Sequence, residues 1–247
     1  MSDECTQEHC FYAFDALYCH LNPSAKAIQA DFPDAKYPLF VTWNIFNTRS
    51  SSPRLRGCIG SFQPMDLKSG LQEYALISAL NDSRFRPIQS HELSKLECGV
   101  SLLTDFQDVP TYLDWNVGQH GIYISFPHPS TLVVMPSSSG DTTPSSASSS
   151  NLNLVSTRRS RTSRIKESLT ATYLPDVAPA QGWTKTEAVD SAIRKAGWDG
   201  KITEEIRRSV KMRTYESKKA EVTWDEYWAW RLSKDPASSS ALYGAMG

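Results

Sequence analysis

The sequence predicts an α+β fold, and three observations carry that expectation. Apolar residues recur at helical spacing in some segments and alternate strictly in others, so both periodicities are present. Helical and extended segments are interspersed without the regular β-α alternation of a doubly wound sheet. With 247 residues, 40% hydrophobic and 11% aromatic, the chain is long enough to bury one substantial core or two small ones.

The elements follow in chain order. Cys10, Phe11, Phe14, Leu17, Tyr18 and Leu21 recur at three- and four-residue intervals, which predicts a helix over 10–21. Leu39, Val41, Trp43 and Ile45 alternate, predicting a strand over 39–46. A second strand over 54–62 is expected after a turn at Ser50, Ser51, Ser52 and Pro53. Ser69 with Gln72 reads as a capping box, opening a helix with Leu71, Tyr74, Ala75 and Ser78 on one face. Residues 96–104 predict a strand with Cys98, Val100 and Leu102 pointing together. Segments 121–126 and 131–135 read as strands around a Pro-His-Pro turn, and 169–174 as a further strand stopped by Pro175. Thr184 and Glu187 form a second capping box, for a helix carrying Val189, Ala192, Ile193 and Ala196 and ended by Gly197. A strand is expected over 210–215, and Thr223 with Glu226 caps a last helix through Tyr227, Trp228 and Trp230.

Residues 136–166 break this pattern. Positions 137–150 hold eight serines, two threonines and no aromatic residue. Such a segment buries too little apolar surface to offset its ordering entropy. It reads as a disordered insertion in a hairpin loop, interrupting a domain over 1–235, with a flexible tail over 236–247. Within it, Arg158, Arg159, Arg161 and Arg164 fall in seven residues. That run reads either as a nuclear-localisation or nucleic-acid patch or as a merely soluble loop.

Composition narrows the function classes. The longest apolar run falls short of a membrane span, and the Met1-Ser2-Asp3-Glu4 start lacks the regions of a signal peptide. Five cysteines without secretion signals point to a reducing compartment, cytoplasmic and/or nuclear. A net charge of −1 makes nucleic acid an unexpected ligand for the folded domain. Cys5, His9, Cys10, Cys19 and His20 match no zinc spacing, so they read as packing, and neither a metal nor a cofactor is expected.

The residues that invite chemistry surround Cys58. In an extended run Arg56 and Cys58 share a face, roughly 6–7 Å apart at Cα, where a guanidinium favours the thiolate. Gly57 and Gly60 permit close approach of a ligand or of another backbone segment. His120, in a turn-like Gly-Gln-His-Gly setting, is a candidate base, and Arg84 a candidate anion holder. Tyr173 is a candidate lining residue for the same cleft. Two readings stand side by side. One is a cysteine-dependent catalytic cleft with Cys58 as nucleophile and His120 as base, acting on an unknown small molecule. The other is a non-catalytic interaction or scaffold domain whose Arg-Gly-Cys-Ile-Gly surface binds a protein partner.

These same residues carry a resemblance. Arg56-Gly57-Cys58-Ile59-Gly60, then the block from Ser78 to Pro87, resemble the AMMECR domain family. Further blocks at 100–104, 120–122, 172–178 and 194–197 match in the same order. The resemblance implies mixed β-sheets with packed helices in two unequal, intimately packed subdomains. It implies no established reaction. Prokaryotic members occur fused to or beside Memo-like and radical-SAM proteins, which implies shared chemistry without naming a substrate.

Overall fold

The structure, a computed structural model, describes residues 5–47, 50–128 and 168–236. The strand expected over 131–135, the insertion, its arginine run and the tail beyond Pro236 lie outside the described residues. The chain is α+β. Among the described residues six strands, β1 Lys36–Asn47, β2 Ser50–Asp66, β3 Leu96–Val109, β4 Gly121–Pro127, β5 Ser168–Tyr173 and β6 Lys211–Thr223, hydrogen-bond in the order β2-β1-β3-β6-β4-β5. The helices are α1 Gln7–Leu21, α2 Leu67–Leu80, α3 Val177–Ala180, α4 Lys185–Lys195, α5 Glu204–Ser209 and α6 Trp224–Lys234, with a 3-10 helix at Ser90–Lys95.

The chain divides into two compact units. One comprises the residues up to Gln107 and from Tyr215 onward; the other is Asp108–Thr214. In the first, β1 pairs antiparallel with both β2 and β3, placing Leu39, Val41 and Trp43 beside Leu102, Val100 and Cys98. All six are buried. From α1, Phe14 stacks on Tyr227 at 4.6 Å and meets Trp43 edge-on at 5.1 Å. A buried ion pair also joins α1 to α6: Arg231 Nη1 and the Tyr227 hydroxyl both donate to Asp15 Oδ1, and the Ile28 N–H donates to Oδ2.

The second unit builds its core from Ile122, Ile124 and Phe126 of β4 and from Ala188, Val189, Ala192 and Ile193 of α4. The α4 boundaries follow from local chemistry. Glu187 accepts the Thr184 N–H at 2.8 Å, and the Thr184 side chain accepts from Glu187 N, as the capping box requires. At the other end Gly197 turns to φ +108°. Its N–H then reaches Arg194 O, and that of Trp198 reaches Ile193 O, satisfying two carbonyls of the last turn.

Two local expectations are corrected. The turn placed at Ser50–Pro53 is strand: β2 begins at Ser50, which pairs with Asn47. Three serines read as turn formers, yet pairing with β1 overrides so weak a local preference. Nor does Ser69 cap α2. The helix starts at Leu67 with Asp66 as N-cap, and the Ser69 hydroxyl donates to Asp66 O. The Ser-x-x-Gln pattern sits one turn inside the true start.

Candidate functional site

The Arg-Gly-Cys-Ile-Gly run lies on β2, which among the described residues has β1 as its one hydrogen-bonded neighbour in the sheet. Thr42 of β1 opposes Cys58, with Val41 opposite Ile59 and Trp43 opposite Gly57. The register then slips, Asn44 facing Leu55, so Arg56 is an extra residue at a bulge. Strict alternation, which would set Arg56 and Cys58 on one face, is interrupted there.

Arg56 is fully engaged by the fold. Its Nε and Nη2 donate to the two carboxylate oxygens of Glu92 at 2.9 and 3.0 Å, and Nη1 donates to Arg86 O at 2.6 Å. Its side chain is only 12% exposed. Burial opposes the Glu92 charge, but Arg56 and the Gln89 N–H outweigh it and hold that carboxyl below its ordinary pKa. The pair therefore pins the bulge to the 3-10 helix and to the loop before it.

A second fork closes the strand edge at Cys58. Antiparallel geometry turns the Cys58 N–H and C=O away from β1, leaving both on the outer edge. Asp82 Oδ2 accepts the Cys58 N–H at 3.0 Å, while Arg84 Nη2 donates to Cys58 O at 3.0 Å. Arg84 in turn grips Asp82 through Nε at 2.9 Å and Nη2 at 2.7 Å. The Arg84 fork holds the Asp82 carboxyl well below the usual carboxylate range against the opposing effect of burial, with help from the Cys58 and Arg84 N–H groups. This side-chain clamp occupies the place of a neighbouring strand and blunts an otherwise open edge.

The glycines serve close approach. A Cβ on Gly57 would lie 2.1 Å from Ser78 O at the end of α2. One on Gly60 would lie 2.2 Å from Leu39 O and 2.4 Å from the Phe40 ring. The Cys58 thiol is half-buried and accepts a hydrogen bond from the Thr42 hydroxyl at 3.2 Å.

Thus Arg56, Gly57, Cys58, Gly60 and Arg84 come together in the first unit. His120 and Tyr173 belong to the second. His120 Nδ1 accepts the Asn116 N–H at 3.1 Å and the His120 backbone N–H donates to Asn116 O at 2.9 Å, so the ring is held within its own loop. The Tyr173 hydroxyl pairs with Ser191 at 2.9 Å, and Lys195 Nζ lies over its ring at 4.4 Å. That tyrosine fastens α4 to β5.

An AMMECR1 family model matches residues 10–149 and 161–220. The chain belongs to the AMMECR1 family. An uncharacterized protein of Arabidopsis thaliana is 42% identical over 221 residues, covering 90% of this chain and 86% of the relative. An uncharacterized protein of Saccharomyces cerevisiae is 32% identical over 249 residues, covering 88% and 86%. The crystal structure of an uncharacterized protein from Pyrococcus horikoshii shares the fold, with a TM-score of 0.59 at 21% identity over 88% of this chain and 93% of that one.

In this AMMECR1 domain, reasoning from sequence passed over Asp82, Glu92 and Thr42, the groups that decide what Arg84, Arg56 and Cys58 do. Asp82 stands within a matching block, directly after a helix end where an Asx side chain commonly bonds nearby backbone. That was the available signal. Glu92 and Thr42 offered none. Among the described residues, no helix is long and apolar enough to cross a membrane.

Proposed function

We propose that this AMMECR1 domain is a non-catalytic interaction module whose clamped β2 edge receives an acidic segment of a protein partner. One observation carries the reading: the charges of both arginines nearest Cys58 are already paired within the fold, Arg56 with Glu92 and Arg84 with Asp82. The exposed cations beside them, Arg54 and Arg86, have no ion-pair partner among the described residues. Leu55, between Arg54 and Arg56, is 37% exposed, a large apolar side chain left at the surface. Arg54 on β2 and Arg86 on the loop that Arg56 ties to β2, with Leu55 beside Arg54, suit carboxylates flanking a hydrophobic residue. The test is an NMR titration of the full chain with a synthetic peptide of alternating Glu and Leu. Saturable shifts at Arg54, Leu55 and Arg86, lost in the Arg54→Glu/Arg86→Glu double variant, support the module. Equal shifts with a Lys/Leu peptide, or none, overturn it.

A second reading, a reactive Cys58, has one observation in its favour. The Thr42 hydroxyl donates to a half-buried sulfur, and such a donor favours the thiolate. Burial pushes the Cys5 thiol up to about 12 and the Cys19 thiol up to about 11, so neither competes at neutral pH. If Cys58 is activated, it alkylates first at pH 7 and Thr42→Val slows the reaction. Labelling at an unchanged rate in that variant reflects exposure alone. For the arginine run we propose nuclear delivery. Replacing Arg158, Arg159, Arg161 and Arg164 by Gln should then move a fluorescent fusion from nucleus to cytoplasm, and an unchanged distribution removes the idea.

A further inference from the structure

We infer that the second unit, Asp108–Thr214, carries a binding site for a small phosphate monoester. The site is a groove of about 610 Å³, a size typical of small-molecule pockets. Arg208, Lys211 and Arg213 line it together with a single carboxylate, Asp108. Three cations against one anion leave a net positive wall. Pro110 and Tyr123 line it as well and offer apolar surface for the body of a ligand.

Strand alternation places these groups. Along β6, Lys211 and Arg213 are exposed while Met212 and Thr214 are buried. Along β4, Tyr123 is half-buried between the buried Ile122 and Ile124. The side chains therefore stand on the strand face opposite the apolar core of this unit. The core fixes the floor, and the charged groups are held on it.

The donors are partly committed in a way that orients them. Arg213 uses Nε and Nη2 on Asp108, at 2.7 and 3.1 Å, which fixes the guanidinium plane and leaves Nη1. Arg208 uses Nε on Glu204 at 3.1 Å, leaving both terminal nitrogens. Lys211 has no partner among the described residues. Donors from three side chains on two elements can reach different oxygens of a tetrahedral dianion, whereas a carboxylate offers two oxygens in one plane. The cavity volume favours a small molecule over a polymer. This site is independent of the β2 edge, so either reading can fail without the other.

The test is an NMR titration of the full chain, at constant ionic strength, with phenyl phosphate, inorganic phosphate and phenylacetate. The site predicts saturable millimolar binding of phenyl phosphate, with shifts at Tyr123 and at residues 208–213. Inorganic phosphate should bind several-fold more weakly and phenylacetate more weakly still. Each of Lys211→Gln and Arg208→Gln should weaken phenyl phosphate about threefold, the scale of one exposed ion pair. No saturable shift, equal response to all three anions, or binding unaffected by either substitution overturns the proposal. Tighter binding of a phosphoserine peptide than of phenyl phosphate overturns it too, by assigning the groove to a protein partner.

Discussion

Arginine serves opposite ends in two regions of this chain. Around Cys58, Arg56 is mostly buried and spends Nε, Nη1 and Nη2 on Glu92 and the Arg86 carbonyl, while Arg84 is paired with Asp82 and remains half-exposed. In the groove of the second unit, Arg208 is largely exposed and keeps both terminal nitrogens available after pairing, and Arg213, like Arg84, is half-exposed and keeps Nη1. A sequence shows the same residue type in both places. The difference lies in how many donors a partner takes, and that is set by folding. An arginine beside a cysteine is thus not evidence of an activated thiol until its own carboxylate has been looked for.

If the clamp is architecture, its largest single dependence is the contact at Gly57. A Cβ there would meet backbone, not a movable side chain, so the end of α2 or the strand must shift. Gly57→Ala should cost about 3 kcal/mol, a melting temperature lower by roughly 10 °C for a chain of this size. A loss below about 1 kcal/mol would show that α2 yields easily and that the glycine serves a ligand instead.

Next comes Asp82, which holds Cys58 N–H and Arg84 together. Asp82→Asn should cost about 2 kcal/mol, because it weakens charge-assisted bonds while preserving shape. Its pH dependence is distinctive. Asp82 binds its proton more weakly in the folded chain than in the unfolded one, so its contribution is complete above about pH 4 and is lost as pH falls below that. Stability measured by urea unfolding should therefore drop less steeply with acid in Asp82→Asn than in the parent. Equal acid slopes would mean that the carboxylate is not held by the clamp.

Much of the architecture was legible because it rests on periodicity and caps. The buried alternation of Leu39, Val41 and Trp43, and the Thr184 and Thr223 capping boxes, need only near neighbours along the chain. The candidate site depends on contacts remote in sequence. Arg56 meets Glu92 thirty-six positions away, and the Asp82 contact to Cys58 N spans twenty-four. No spacing rule reports such pairs. The bulge at Arg56 also defeats the alternation on which its placement beside Cys58 relied. The groove escaped for a different reason: Arg208, Lys211 and Arg213 form no motif, and only the pleat of β6 brings two of them to one face.

Replacing arginine by lysine in each region gives the sharpest contrast and the smallest effects. Arg56→Lys keeps the charge but loses the planar fork, so one ammonium cannot reach both Glu92 oxygens and Arg86 O together. It should cost about 1 kcal/mol and loosen the loop that carries Arg86, visible as faster amide exchange there. Arg208→Lys removes one contact to Glu204 at a site where the arginine side chain is 77% exposed. Its melting temperature should move by less than about 1 °C, since exposed ion pairs add little. Phenyl phosphate binding should nonetheless weaken measurably, because the two terminal nitrogens left available by arginine collapse to a single ammonium. Equal thermal shifts in the two variants would erase the distinction between a folded-in arginine and an available one. A stable Arg208→Lys with unchanged phosphate affinity would leave the clamp standing and remove Arg208 from the groove.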